Sequence, residues 1–141
     1  MPRTLDPATA DGARAIARLE RDLIGWVTTT NPDGQPQASP VWFLWDGSEV
    51  LVFSRTRAPR NDNIADRPLV AFNLESGPKG EDVVTAEGEA RIAADEPSAA
   101  ANPTYLAKYQ GMLDEYGWTA EWFADHYPVP IRIRPTRWRL E

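Results

Sequence analysis

The chain of 141 residues has no cysteine and a single histidine, His126. The absence of cysteine excludes disulfides, thiolate chemistry and cysteine-based zinc sites, and it fits a reducing compartment. No apolar run approaches the roughly 20 residues of a membrane helix. The first seven residues also lack the apolar segment of a secretory leader. We therefore expect a cytoplasmic protein with no membrane partner.

Positive charge is also scarce, since 15 lysines and arginines face 21 acidic residues for a formal net charge of −6. Nucleic-acid phosphates demand a broad basic face, so we expect no nucleic-acid partner. The chain is long enough to bury about 70% of its unfolded surface around one core. No repeat or linker divides it, and we predict a single domain over residues 1–141.

Hydrophobic periodicity predicts one amphipathic helix over residues 11–23 and then a series of strands. The strands are predicted at 24–30, 36–45, 49–54, 69–74, 83–92 and 129–140. The Asp-Gly pairs at 33–34 and 46–47 are typical of tight turns, so the first three strands should form an antiparallel meander. Gly88 marks a bulge or a close backbone approach in the fifth strand. This pattern favours a small antiparallel barrel.

A helical region is predicted between the last two strands, over residues 95–124, with interruptions at Pro103, Gly111 and Gly117. A short helical turn is also predicted at 61–67, before Pro68. The aromatic residues of the long helical region are interpreted as packing, and the single histidine as a surface or capping residue.

The segment 50–64 is the most informative, because a run of strand formers ends abruptly in a loop with three arginines. Arg55, Arg57 and Arg60 lie within six residues around Pro59, in a chain whose net charge is negative. Such cations repel one another unless an anion holds them, and the planar guanidinium matches phosphate oxygens. We therefore predict an anion site at the end of this strand.

The alternative is a solvated loop in which nearby carboxylates, such as Asp62 and Asp66, neutralise the arginines. In that case the loop would be a surface feature without a ligand.

Six short motifs follow one another along nearly the whole chain. They are GWVTTT at 25–30, PVWF at 40–43, LVFS at 51–54, NI at 63–64, PLVA at 68–71 and GEA at 88–90. In this order and spacing the chain resembles the flavin-binding split barrels of the pyridoxamine 5'-phosphate oxidase family. The short length and the basic loop are most similar to the actinobacterial branch that uses the deazaflavin coenzyme F420 in place of FMN.

The resemblance implies a mainly β fold, a six-stranded antiparallel split β-barrel with flanking helices. It also implies a homodimer with two cofactor sites at the subunit interface. Ser54 and Arg55 match positions that hold the cofactor phosphate and ribityl chain, and Arg60 matches a basic residue that grips the phosphate. Asn61 is assigned to the same cofactor site.

Pro40, Val41 and Trp42 match positions under the cofactor ring system, although Trp42 is equally well explained as an aromatic residue of the barrel core. Trp138 of the last strand is assigned to the same site, with a place in the subunit interface as the alternative. No catalytic or metal-binding side chain is predicted, because hydride chemistry requires the protein only to hold the cofactor, orient the acceptor and exclude water.

Two departures from the family pattern qualify the expected activity. Asp62 stands where many relatives carry another basic residue, which weakens the positive field. Residues 39–44 lack the arginine and lysine that pyridoxamine phosphate oxidases place on this strand, so oxidation of vitamin B6 is not expected.

The expected activity is hydride transfer from reduced F420 to a small conjugated acceptor. The alternatives are an FMN-dependent oxidoreductase of the same fold, or a non-catalytic flavin- or haem-binding module. In the haem case, His126 is the candidate axial ligand.

Overall fold

The structure is a computed structural model that describes residues 2–141. Within these residues it contains four α-helices, one 3₁₀ helix and seven strands. The helices are α1 (Ala10–Arg21), α2 (Pro59–Asp66), α3 (Pro103–Tyr116) and α4 (Ala120–His126), with the 3₁₀ helix at Ala99–Ala101. The strands are β1 (Gly25–Thr30), β2 (Pro36–Val41), β3 (Leu44–Trp45), β4 (Val50–Ser54), β5 (Leu69–Asn73), β6 (Val84–Ile92) and β7 (Val129–Leu140).

All strands pair antiparallel in one sheet of order β2-β1-β5-β6-β7-β4-β3. The two ends of this order, β2 and β3, are separated in the chain only by Trp42 and Phe43. The sheet therefore closes on itself, which confirms a mainly antiparallel split barrel. The count of strands is seven rather than the predicted six.

The additional strand arises because the predicted strand 36–45 divides at Trp42 and Phe43. The backbone N–H of Phe43 donates to the Tyr109 hydroxyl at 2.7 Å, and its carbonyl accepts from Lys108 Nζ at 2.8 Å. Side chains of α3 thus replace the partner strand at this point. The predicted meander is correct for the two hairpins, in which β2 pairs with β1 and β3 pairs with β4, but β2 and β3 do not form one continuous strand.

Strand β4 is buried along its whole length and separates two hydrophobic clusters. Val50 and Val52 belong to the barrel core, whereas Leu51 and Phe53 belong to a second cluster under α3 and α4. The alternation follows from the two-residue period of a strand. Ser54, the last residue of β4, is 0% exposed.

We call residues 93–128, which join β6 to β7, the helical connection. Pro103 begins α3, as expected for proline in a first turn, and Gly117 ends it with φ of 70°. The predicted interruption at Gly111 is wrong, because this glycine lies inside α3. The helical connection folds back onto β4, and its buried aromatic residues Tyr105, Tyr109 and Phe123 confirm the predicted packing role.

The predicted bulge in the fifth strand is confirmed, because the register between β6 and β7 shifts between Glu87 and Gly88. A Cβ atom at Gly88 would lie 2.9 Å from the carbonyl oxygen of Arg134. A close backbone approach therefore requires glycine here.

Candidate functional site

A cavity of about 270 Å³ lies where the end of β2, strand β4, helix α2 and the helical connection meet. Six of its ten lining residues are aromatic, and one, Arg60, is charged. The lining consists of Ile24, Pro40, Val41, Trp42, Phe53, Arg60, Tyr116, Trp118, Phe123 and Tyr127. A pocket with mostly apolar walls and a few polar groups is typical of a small-molecule site.

Four of the eight residues predicted for the cofactor site line this cavity: Pro40, Val41, Trp42 and Arg60. Trp42 also stacks on Tyr109, with ring centroids 4.7 Å apart, and on Phe123 at 5.3 Å. The alternative of a barrel-core residue is therefore wrong for Trp42, because its ring packs against the second cluster and lines the cavity.

The start of α2 supplies the charged edge of the cavity through Arg60, which contacts the end of β4. Arg60 Nη1 donates to the Ser54 hydroxyl oxygen at 2.8 Å. Arg60 Nε is buried, and within residues 2–141 it has no hydrogen-bond partner. Burial lowers the pKa of the Arg60 guanidinium, an effect that the neighbouring Tyr127 opposes. The site therefore holds a cation whose desolvation is not compensated by a carboxylate.

We call residues 55–60 the arginine loop. Asn61 holds it in shape, because its Nδ2 donates to the carbonyl oxygens of Arg55 at 2.7 Å and Thr56 at 3.3 Å. Asn61 Oδ1 is buried without a partner among the described residues. Arg55 Nη2 donates to the Tyr127 hydroxyl at 3.0 Å, so the loop contacts the helical connection.

The alternative, in which nearby carboxylates neutralise the arginines of the loop, is excluded by the positions of those carboxylates. Among the described residues, no carboxylate oxygen lies within 4.0 Å of a guanidinium nitrogen of Arg55, Arg57 or Arg60. Asp66 lies 4.0 Å from Arg67 instead. The start of α2 is also uncapped, since Ala58 offers no side-chain acceptor or donor. Uncompensated cations beside a helix N-terminus provide the donors that an anion requires.

Trp138 lies apart from this cavity. Its side chain is 1% exposed and packs edge-on against Trp45, with ring centroids 5.8 Å apart, in the barrel core. The structure therefore does not bring Trp138 together with the other predicted site residues.

Sequence reasoning missed the side of the cavity that the helical connection provides. Tyr116, Trp118, Phe123 and Tyr127 line it. The sequence predicts only packing for the first three, and Tyr127 lies beyond the predicted helical region. The density of aromatic residues over 105–127 was the available signal. It could not reveal which of them reach the cavity, because that depends on a long-range contact with β4.

The part of the chain that the structure describes has neither a membrane-spanning helix nor a cluster of metal ligands. No helix in residues 2–141 has the length and hydropathy needed to cross a bilayer. In the same residues, no three histidine or acidic side chains gather where they could hold a metal ion.

A family model described as pyridoxamine 5'-phosphate oxidase matches residues 13–140. The chain belongs to the pyridoxamine 5'-phosphate oxidase family. Among solved structures of this fold, an F420 reductase is 27% identical, with 87% of this chain and 94% of that chain covered and a TM-score of 0.64.

Two more distant structures share the fold. A conserved hypothetical protein from Mycobacterium tuberculosis is 23% identical over 99% of this chain and 88% of that chain, with a TM-score of 0.71. HutZ, the haem-storage protein of Vibrio cholerae, is 14% identical over 97% of this chain and 94% of that chain, with a TM-score of 0.63. The fold of the family therefore extends over nearly the whole chain.

Proposed function

We propose that this member of the pyridoxamine 5'-phosphate oxidase family binds coenzyme F420 in the cavity and transfers a hydride between the reduced deazaflavin and a small conjugated acceptor. The observation that carries the proposal is the surplus of hydrogen-bond donors at Ser54 and Arg60, beside an aromatic cavity and without a carboxylate. The 27% identity to an F420 reductase over 87% of the chain supports F420 as the cofactor.

The residues present fit such a cofactor. Ser54, Arg55 and Arg60 would hold its phosphate and ribityl chain. Each charge-assisted hydrogen bond contributes about 1.5 to 3 kcal/mol, so two or three supply much of a micromolar affinity of about 8 kcal/mol. Asn61 would act through the shape of the arginine loop, because its amide donates to Arg55 and Thr56 backbone oxygens.

Pro40, Val41 and Trp42 would lie against the ring system, since all three line the aromatic part of the cavity. The bound cofactor supplies the hydride, and the aromatic walls orient the acceptor and exclude water. We leave Trp138 out of this proposal, because its side chain is buried in the barrel core.

We further propose a homodimer with the cofactor sites at its interface. The outward positions of β2, β1 and β5 carry no charged side chain and form a continuous face with the exposed Leu69. These positions are Pro36, Ala38, Pro40, Trp26, Thr28, Thr30, Leu69, Ala71 and Asn73. Pro40 belongs to this face and also lines the cavity, so a second copy on the face would lie at the cavity mouth.

The size of the cavity also supports a shared site. Small-molecule pockets span roughly 300–1,000 Å³, and one chain provides about 270 Å³. A three-ring cofactor with a phosphate-bearing side chain needs more room than this. A second copy would supply the remaining wall.

FMN in the same site is a second candidate, because its phosphate and aromatic ring system fit the same donors and walls. Haem binding is a third, and it rests on His126. The ring Nδ1 of this exposed histidine lies 2.8 Å from the carbonyl oxygen of Trp122, which fixes the proton on Nδ1 and leaves Nε2 free to ligate. Loss of haem affinity in His126→Ala would favour this candidate, and unchanged affinity would exclude His126 as the ligand.

The test is a calorimetric or fluorescence titration of the purified protein with F420, FMN and riboflavin, which is FMN without its phosphate. The proposal predicts binding of F420 that is tighter than binding of FMN, and FMN binding that is tighter than riboflavin binding. Equal affinity for FMN and riboflavin would show that the arginine loop does not hold the phosphate.

A further inference from the structure

The side chain of Tyr127 joins the helical connection, to which this residue belongs, to the arginine loop. Its hydroxyl oxygen accepts a hydrogen bond from Arg55 Nη2 at 3.0 Å, and the Arg55 guanidinium carbon lies 5.1 Å from the ring centroid. Tyr127 and Arg60 also line the same cavity. The phenol therefore contacts one of the arginines that are expected to hold the anion and shares the cavity with the other.

In this region the hydrogen-bond donors outnumber the acceptors that the protein provides. In residues 2–141, the Tyr127 hydroxyl accepts from Arg55, and its own hydrogen has no acceptor. The Ser54 hydroxyl likewise accepts from Arg60, is 0% exposed, and finds no acceptor for its hydrogen. Arg60 Nε is buried without a partner. Ser54 and Arg60 thus leave two buried donors without an acceptor, which costs free energy unless an acceptor arrives. The Tyr127 side chain lines the same cavity as Arg60 and offers a third donor.

We propose that Tyr127 is a further ligand-binding residue of this site, which donates its phenolic hydrogen to the bound anion and thereby fastens the helical connection over the cavity. The inference rests on the proposed function, because the anion is the phosphate of the cofactor. A phosphate oxygen accepts several hydrogen bonds at once, so it can take donors from the end of β4, from α2 and from Tyr127 together.

The position of Tyr127 explains how a bound anion would fasten the helical connection over the cavity. It is the residue that follows α4, and its ring stacks on Phe123 with centroids 4.6 Å apart. Phe123 is 2% exposed and lines the cavity. Between the side chain of Tyr127 and the arginine loop, the ligand-free protein has one hydrogen bond, to the exposed Arg55. A shared anion would add a bond from Tyr127 to the same ligand that Arg60 holds.

The test compares Tyr127→Phe with Tyr105→Phe. Both variants lose one phenolic hydroxyl and retain the ring, but Tyr105 does not line the cavity, and its buried hydroxyl has no partner among the described residues. Phenylalanine at 127 retains the ring that stacks on Phe123, so the fold is expected to persist, and a circular-dichroism spectrum checks this. The affinities of wild type and variants for F420 and FMN are measured by calorimetry. Hydrogen exchange of the backbone amides of 119–127 is followed with and without F420.

We expect Tyr127→Phe to bind both ligands about tenfold more weakly, which corresponds to one hydrogen bond to a charged group, and Tyr105→Phe to bind as wild type does. F420 should slow amide exchange over 119–127 in wild type and slow it less in Tyr127→Phe. Tight wild-type binding with equal affinity in Tyr127→Phe would overturn the role of Tyr127 and leave the proposed function standing. Weaker binding without any change in exchange would overturn the fastening. Failure of the wild-type protein to bind either ligand would overturn the proposed function and this inference with it.

Discussion

Replacement of Arg60 by methionine should separate the stability of the protein from its affinity for the cofactor. The half-buried guanidinium has no carboxylate partner to lose, and methionine retains an unbranched apolar side chain. The variant loses the charge-assisted hydrogen bond to Ser54 of 2.8 Å, which is worth about 1.5 to 3 kcal/mol. It also removes the desolvation cost that lowers the Arg60 pKa. Because the two effects oppose each other, we expect the free energy of unfolding in urea to change by less than about 1 kcal/mol.

The affinity for FMN should fall in Arg60→Met, because the FMN phosphate loses a charge-assisted contact. Such a contact is worth about 1.5 to 3 kcal/mol, so FMN should bind Arg60→Met roughly 10- to 100-fold more weakly than wild type. Riboflavin, which has no phosphate, should bind both proteins equally. Calorimetric titration of both ligands measures the two ratios.

Arg132→Met provides the matched control, because it makes the same substitution at an arginine with carboxylate partners. Arg132 Nε lies 2.6 Å from Glu96 Oε1, and its Nη1 lies 2.7 Å from Asp46 Oδ2. Its loss should cost about 2 to 3 kcal/mol, less than for a fully buried pair because the carboxylates are partly exposed. Its effect on FMN affinity should be small. If Arg60→Met destabilises the protein as much as Arg132→Met does, or binds FMN as wild type does, Arg60 is structural and the reasoning is refuted.

Two further predictions test the packing that positions the site. Gly25→Ala should lower the free energy of unfolding by about 1 to 3 kcal/mol, since the new Cβ would lie 2.5 Å from the Phe72 ring. Gly111→Ala should raise it by about 0.5 to 1 kcal/mol, because this position in α3 has open space around it. A different ranking of the two variants in urea denaturation would contradict the packing. Burial lowers the pKa of Lys108 to about 8, so between about pH 8 and 10.5 the unfolded chain binds a proton that the folded chain has lost, and stability from this group rises with pH. The free energy of unfolding of wild type minus that of Lys108→Met should therefore increase from pH 7 to 9, and a constant difference would show that Lys108 does not titrate there.

The barrel was largely predictable because its signals are local. The Asp-Gly turn at 33–34 fixes the β1–β2 hairpin, and the positive φ of 88° at Gly34 is what such a turn requires. The break at Trp42 and Phe43 was not predictable, because Val41 to Leu44 are all strong strand formers. It depends on Tyr109 and Lys108, which bond to the Phe43 backbone from 66 and 65 residues away.

The candidate site also has one part that local sequence predicts and another that depends on contacts remote in sequence. Ser54, Arg55 and Arg60 could be identified because the change from strand to basic loop is visible in consecutive residues. The absence of carboxylate partners for these arginines could not be foreseen, since Asp62 and Asp66 are just as close in sequence. The aromatic side of the cavity could not be foreseen either, because the helical connection reaches β4 through contacts remote in sequence, such as Phe53 with Tyr105 at 5.0 Å.

The central claim is that the arginine loop and the aromatic cavity hold a phosphate-bearing flavin-type cofactor. The most direct test is a calorimetric titration of the wild-type protein with F420, with FMN titrated separately. The account predicts saturable binding of F420 at micromolar concentration or below, one molecule per chain, and weaker binding of FMN. Failure to bind either cofactor would contradict it and would leave the unpaired donors of Ser54, Arg60 and Tyr127 without an explanation.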